Sequence, residues 1–377
     1  MFLVTGAFGL LGTELMKVIQ ETGSKALIIE RPGAKIPPSL MHRIGNSIRK
    51  SIRKNIRKIP PKVSQRFFSK TAARYCSGGK MSPQPFLWLP LDISHPGWSR
   101  YLPADFHPEA IFHLAALIPP AADRNPLLSE RVNLAATREL IQWAQAHASA
   151  VPFIFTSSVA VYGDRRHSGE IFPDDPLHPS PGDCYARHKI AAEQYLAESG
   201  LPWNILRMSY IVSPRKLRPD PLMFHMPLNT RIEVIHASDA ACALLQAFQK
   251  FRSGEILNIG GGEWCRTVYR EYLMEMLSIF GLNPAEIPDD LFSVEPFHCG
   301  WMNTRRSSSY LNYQHHTLLD YYLEVYGKKR RLRWSVHRFR RFIWRKILDG
   351  SGYFSALPEG RKSRMIMSLM KERMSFR

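Results

Sequence analysis

Cysteine is scarce in this chain, acidic residues are almost missing from two long stretches, and no apolar run approaches membrane-spanning length. The five cysteines (Cys76, Cys184, Cys242, Cys265, Cys299) are scattered, odd in number and without a CxxC pair. That argues against a disulfide framework or a zinc site and for a reducing compartment. A spanning helix needs about 20 mostly apolar residues, and none is present. Met1 runs directly into an apolar strand, not into a signal-peptide pattern. A cytoplasmic location is therefore expected, with peripheral attachment at the cytoplasmic membrane face as its variant.

The missing acids define two cationic attachments. Between Gly33 and Pro83 there are thirteen Lys/Arg and no Asp or Glu, and from Gly327 onward sixteen Lys/Arg stand against Asp349, Glu359 and Glu372 alone. The whole chain carries +19, so everything outside these segments is mildly acidic. With 377 residues, 45% of them hydrophobic, that remainder is long and apolar enough to bury a substantial core.

The body opens with a nucleotide-binding signature. Phe2 to Val4 reads as a buried strand, Thr5-Gly6-Ala7-Phe8-Gly9-Leu10-Leu11-Gly12 follows, and a helix runs from about Thr13 to Glu21. Gly6 is expected to make the tight turn, Gly9 to let the backbone approach a pyrophosphate, and Gly12 to allow close helix packing; the free amides at the helix start, from Phe8 through Leu10 and Leu11, would receive the anion. A second strand, Ala26 to Ile29, ends in Glu30 at the distance expected of a ribose-binding acid. Glu30 favours NAD by repelling a 2′-phosphate, while the adjacent Arg31 would attract one, so NAD or NADP is expected with a lean to NAD. Further strands at Phe86 to Leu91, Ala110 to Leu114 and Phe153 to Thr156, with a helix over Pro126 to Ala148, predict an α/β fold. It is a Rossmann-like doubly wound parallel sheet whose ligands gather at the strand carboxyl ends.

Several motifs occur in one order: Thr5 to Gly12, Leu91-Asp92-Ile93, His113-Leu114-Ala115-Ala116, Val132-Asn133, Ser157 to Gly163, Tyr185 to Lys189, Leu206-Arg207 and Asn258 to Gly261. Together they resemble the extended short-chain dehydrogenase/reductase family, the NAD-dependent epimerase/dehydratase group, over roughly residues 1 to 280. The resemblance implies that Asp92 and Ile93 flank the adenine and that Leu114, Ala115, Ala116 and Asn133 line the cofactor cleft. It makes Ser158 the catalytic hydroxyl, Tyr185 the acid/base and Lys189 its partner, the last two also at the cofactor. Tyr185 and Lys189 are four apart, hence on one helix face, and a cation near a phenol is expected to lower its pKa towards working pH. His113, His236 and Asp239 are expected to be structural.

Departures narrow the chemistry. Dehydratases resembling this group carry Asp and Glu after the catalytic hydroxyl, where this chain has Val159 and Ala160. Nucleotide-sugar epimerases have an Asn just beyond the Leu-Arg strand, replaced here by Met208-Ser209-Tyr210, and the segment from Ser213 to Arg231 is short. The favoured function is an NAD(P)-dependent oxidoreductase interconverting an alcohol and a carbonyl on a lipid-linked or other membrane-associated small molecule. The alternatives are a sugar epimerase of the same group and a non-catalytic cofactor-binding scaffold on membranes.

The attachments read as basic amphipathic helices. Ile44, Ile48, Ile52 and Ile56 recur every four residues against Arg49, Lys50, Arg53, Lys54, Arg57 and Lys58, and Pro60-Pro61 ends the pattern. In the tail, Leu332, Val336, Phe339, Phe342, Ile343 and Ile347 are expected on one face, with Trp334 and Trp344 at an interface. An anionic membrane surface is the favoured partner over nucleic acid, for which no recognition module is present; a homodimer through the helices near Ser158 and Tyr185 is a further expectation. The organisation expected is a Rossmann domain at 1–32 and 84–212, a basic insertion at 33–83, a small substrate-binding portion at 213–326 with segments returning to the Rossmann domain, and a basic tail at 327–377.

Overall fold

The structure is a computed structural model that describes residues 1–41, 86–103, 105–215, 221–283, 287–349, 351, 354–355 and 357–371. The isoleucine-striped helix expected in the basic insertion lies outside the described residues. Only its approach is seen, a short helical turn Pro38–Met41 whose Leu40 is buried in the core.

Seven strands form one parallel sheet: β1 (Phe2–Thr5), β2 (Ala26–Glu30), β3 (Phe86–Pro90), β4 (Ile111–His113), β5 (Phe153–Ser158), β6 (Trp203–Met208) and β9 (Glu255–Ile259), in the order β3-β2-β1-β4-β5-β6-β9. Continuous apolar runs such as FLV and LII suit strands covered on both faces. Alternation then divides them: Phe2 and Val4 pack with α1 (Leu10–Glu21) and α4 (Ala237–Gln249), while Leu3 points to α2 (Ala136–His147) and α3 (Cys184–Ala197). The strand order reverses between β1 and β4, which opens a crevice at their carboxyl ends. A smaller sheet of β7 (Tyr210–Val212), β8 (Arg231–His236) and β10 (Arg266–Val268) lies downstream, β8 parallel to β7 and antiparallel to β10.

The helix expected over Pro126 to Ala148 is not continuous. It starts as Pro126–Glu130, widens into a π turn at Arg131–Ala135 and resumes as α2. Periodicity does not reveal a π turn, which often marks a place where function has displaced regular helix; here the turn carries Asn133.

The tail departs from the expected face assignment. After α5 (Tyr269–Phe280) and α6 (Arg305–Leu311), α7 (Leu318–Arg338) begins at a capping box between Thr317 and Asp320, followed by α8 (Arg340–Leu348) and α9 (Glu359–Lys371). Val336, Trp344, Ile347 and Leu348 are buried with Leu277, Ile279 and Leu291 of the body, and Ile343 packs partly against them. Phe339 and Phe342 instead remain 61% and 67% exposed. The apolar residues of α8 spread over more than half its circumference, so one part seals the body and another faces solvent.

Candidate active site

The loop after β1 fits its glycines to distinct tasks. Gly6 sits at φ +75°, and a Cβ there would meet the Ala115 backbone nitrogen at 2.7 Å. A Cβ on Gly12 would come within 2.2 Å of Gly6 O, so only glycine lets α1 start this close to the turn. Gly9 is the N-cap, without a side-chain cap, and no acidic residue lies in the first turn. The backbone N–H groups of Leu10, Leu11 and Gly12 therefore point out of a helix start with no internal acceptor, which is the chemistry of an anion site. Phe8 N–H is already used, donating to Glu30 Oε1 at 2.9 Å. Glu30 thus ties the loop to β2, and burial raises its carboxyl pKa above the usual value against the pull of the Phe8 and Arg31 amides. Arg31 is exposed at the strand end, and Asp92 is turned onto Ser94, accepting its N–H at 3.0 Å and its hydroxyl at 2.7 Å. Ile93 packs against the core on that side.

The other wall of the crevice is held by a directed chain of hydrogen bonds. Thr137 Oγ1 donates to Asn133 O at 2.9 Å and so accepts from His113 Nε2 at 2.8 Å. That leaves His113 Nδ1 to accept from Thr5 Oγ1 at 2.6 Å, while Thr5 Oγ1 accepts the Ala115 N–H at 3.2 Å. Burial beside Lys189 pushes the imidazole pKa down to about 3, so His113 is neutral, as the chain requires. Leu114 N–H donates to Thr5 O. Asn133, fully buried, accepts from Leu117 N–H at 2.8 Å and donates to Leu117 O at 2.9 Å. The segment Leu114 to Leu117, with Ala115 and Ala116 between, is thus pinned at both ends, and Asn133 shapes it from behind.

Ser158, Tyr185 and Lys189 converge. Ser158 ends β5, and its hydroxyl accepts from Ala160 N–H at 3.2 Å and hydrogen-bonds the Tyr185 hydroxyl. Tyr185 lies in the first turn of α3, and Lys189 one turn on is 1% exposed. The Lys189 ammonium donates to Thr156 O at 2.7 Å, 4.5 Å from the Phe155 ring centroid and 5.9 Å from that of Tyr185. The expected lowering of the Tyr185 pKa is not found: burial pushes the phenol up to about 12, assisted by the Asp183 charge and opposed by Ser158. Burial likewise pulls Lys189 down to about 7, opposed by Glu193. Desolvation outweighs the attraction expected from four-residue spacing because both groups are sealed from water.

Glu193 was missed by sequence reasoning, although its position four residues after Lys189 signals it. Its carboxylate accepts from Arg207 Nε at 3.1 Å and Nη2 at 2.6 Å, and Arg207 Nη1 donates to Tyr162 OH at 2.7 Å and Pro173 O at 2.8 Å. Tyr162 OH donates to Asn258 Oδ1 at 2.7 Å. The Leu-Arg and Asn-Ile-Gly-Gly motifs are thereby joined beneath the tyrosine helix in one buried network. His236 and Asp239 cap and brace: His236 accepts at Nδ1 from Ser238 N–H, and Asp239 Oδ2 accepts from the His315 and His316 N–H groups at 2.9 Å each.

The model of the NAD-dependent epimerase/dehydratase family matches residues 2–260. The chain belongs to this family. Among curated proteins it resembles D-erythronate dehydrogenase of Haemophilus influenzae, 26% identical over 38% of this chain and 46% of that protein. It also resembles ADP-L-glycero-D-manno-heptose-6-epimerase of Alkalilimnicola ehrlichii, 35% identical over 23% of this chain and 25% of that protein. These matches span less than half the length of the relatives. Among solved structures, UDP-glucuronic acid 4-epimerase of Bacillus cereus, in complex with UDP-glucuronic acid and NAD, shares the fold with a TM-score of 0.63 at 19% identity, covering 88% of this chain and 99% of that one. Membership fixes the class as NAD-dependent enzymes; the relatives include both dehydrogenases and epimerases.

Proposed function

We propose that this family member is an NAD-dependent oxidoreductase that interconverts an alcohol and a carbonyl at Tyr185. The observation that carries the reading is the Ser158–Tyr185 hydroxyl pair, Ser158 half-buried and Tyr185 buried, with buried Lys189 one helical turn behind it. The uncapped amides of Leu10 to Gly12 fit a pyrophosphate, the second oxygen of Glu30 fits a ribose hydroxyl, and the Asp92–Ile93 and Leu114–Leu117 segments fit the flanks of a dinucleotide. The nicotinamide, when bound, supplies the hydride acceptor or donor. The Tyr185 phenol gives its proton to a carbonyl as the hydride arrives, or, in the opposite direction, its phenolate takes the alcohol proton, and Ser158 polarises the same oxygen. With its pKa near 12 the phenol rests protonated; a protonated Lys189 lowers the cost of the phenolate, and burial keeps water from competing for the proton.

Val159 and Ala160, both buried and without titrating groups, leave nothing to drive water elimination. Buried Ser209 and exposed Tyr210 stand where the resemblance places a diphosphate-binding Asn. Both features favour redox chemistry over nucleotide-sugar conversion. The test is net NADH formation from NAD with D-erythronate and related sugar acids, polyols and lipid alcohols. Formation of NADH supports a dehydrogenase, whereas conversion of a sugar without net NADH assigns the site to an epimerase.

A membrane-associated or lipid-linked substrate is part of the same proposal. Exposed Phe339 and Phe342 share the solvent side of the tail with exposed Arg338, Arg345 and Lys346, none of which is ion-paired among the described residues. Phenylalanine flanked by basic residues suits the headgroup region of an anionic bilayer, at about 1 kcal/mol per basic residue near the surface. No described helix is long and apolar enough to cross a membrane, so attachment would be peripheral. Flotation with anionic vesicles but not neutral ones is expected; co-purifying nucleic acid in place of vesicle binding would reassign the basic segments.

A further inference from the structure

Among the described residues, His236, Asp239 and His316 form a group able to hold a metal ion: one donor atom of each lies within 4.8 Å of the other two. They come from separate elements. His236 ends β8 and caps α4, Asp239 lies in the first turn of α4, and His316 stands just before α7, the helix that runs into the basic tail. The two imidazoles stack with centroids 4.4 Å apart, and His316 Nδ1 is 2.6 Å from Asp239 Oδ1. His236 Nδ1 is 2.6 Å from Ser238 Oγ. Its other ring nitrogen, Nε2, is buried without a hydrogen-bond partner, and Glu324 Oε2 of α7 faces it at 3.9 Å, too far for a hydrogen bond. A buried nitrogen left unpaired calls for an explanation such as an ion. Two ligands of one Zn2+, each bound at about 2.0–2.1 Å, stand roughly 3.3–4 Å apart, which is the spacing of this nitrogen and this carboxylate.

We propose that His236, Asp239 and His316, joined by Glu324, bind one divalent cation of the Zn2+ class. Imidazole nitrogens suit that class, and carboxylates complete its coordination. His236 gives Nε2 while its Nδ1–H donates to Ser238 Oγ, the kind of outer hydrogen bond that fixes the tautomer of a ligating histidine. Asp239 and His316 open their short contact to admit the ion, and Asp239 Oδ2 stays on the His315 and His316 N–H groups at 2.9 Å each. The surrounding charge agrees. Burial and the neighbouring His316 ring hold His236 below the usual imidazole value, which keeps its lone pair available, and Glu324, Asp239 and Glu14 set negative charge around it. The nearby cations are engaged with these acids, Lys328 on Glu324 at 3.2 Å and Arg215 on Glu14 at 3.1 Å. The bound ion clips β8 and α4 of the body to α7 and so fastens the root of the basic tail. Scattered cysteines argue against a thiolate zinc site, and this one uses no thiolate; its two histidines lie too far apart in sequence to form a spacing motif. The site does not rest on the redox reading of Tyr185.

The experiment titrates tag-free, full-length protein, stripped of metal with EDTA, with Zn2+ alone by calorimetry. Wild type is expected to bind one Zn2+ per chain and to gain several degrees in Tm when loaded. His316→Gln, at a partly exposed position that caps no helix, is expected to weaken binding by on the order of 10²-fold and to lose the Tm gain, and Glu324→Gln to weaken it by on the order of tenfold. His107→Gln, which removes an exposed imidazole elsewhere, should bind as wild type does. Co2+ alone should give the visible absorption of a tetrahedral site in wild type and not in His316→Gln. Circular dichroism and the Tm of each stripped variant check that the fold is retained. Absence of stoichiometric Zn2+ binding by wild type, or equal binding by wild type and His316→Gln, would overturn the site.

Discussion

The tyrosine helix and the basic tail place charge in opposite ways. Along one face of α3, Tyr185, Lys189 and Glu193 are all buried, and each charge has an assigned neighbour: Lys189 on Thr156 O, Glu193 on Arg207, Arg207 on Tyr162. In the tail, Arg338, Arg345 and Lys346 are exposed and make no ion pair among the described residues. Buried charge is expensive unless fully partnered, so the first region can hold only one arrangement. Exposed charge is cheap and unspecific, so the second can meet many surfaces. The first arrangement suits a defined proton position and the second suits a location.

Substitutions should separate the regions sharply. The largest effect is expected at the glycine loop and the buried pair. Gly12→Ala, whose Cβ would meet Gly6 O at 2.2 Å, should abolish stabilisation by NAD in a thermal shift assay. Arg207→Met leaves Glu193 buried without its cation and should cost about 3–5 kcal/mol of stability in denaturant unfolding. Lys189→Met should give a pH-dependent result. Its native pKa, about 7 against 10.5, means that the unfolded chain binds a proton the native state lacks between those values. Wild-type stability from this group therefore rises from pH 7 to about 10, and the burial cost is fully present below 7. The variant should gain several degrees in Tm at pH 6, the gain should fade towards pH 10, and turnover should be lost. At the small end, Phe339→Ala with Phe342→Ala should change stability by less than about 0.5 kcal/mol, as exposed positions do, yet reduce capture by anionic vesicles. A large loss of stability there would place both rings in the core.

How much was legible follows from the same contrast. The glycine loop, the strand runs and the Tyr185–Lys189 spacing are local patterns whose physics is carried by a few adjacent residues, and the fold repeats them closely. The directed chain through Thr5, His113 and Thr137 joins residues far apart in sequence, so its direction emerges only once β1, β4 and α2 are side by side. The Tyr185 pKa depends on exclusion of water, which spacing does not encode. In the tail, helical periodicity identified apolar residues but not which of them would meet the body, because Trp344 and Ile347 pack inward while Phe342 does not.

The central claim is that Tyr185 moves the proton while other residues hold the cofactor. The direct measurement is a comparison of wild type and Tyr185→Phe for NAD affinity by calorimetric titration and for turnover on the substrate found by NADH formation. The account predicts affinity within about threefold and turnover lower by on the order of 10²–10⁴. Turnover within tenfold of wild type, with NAD still bound, would contradict it.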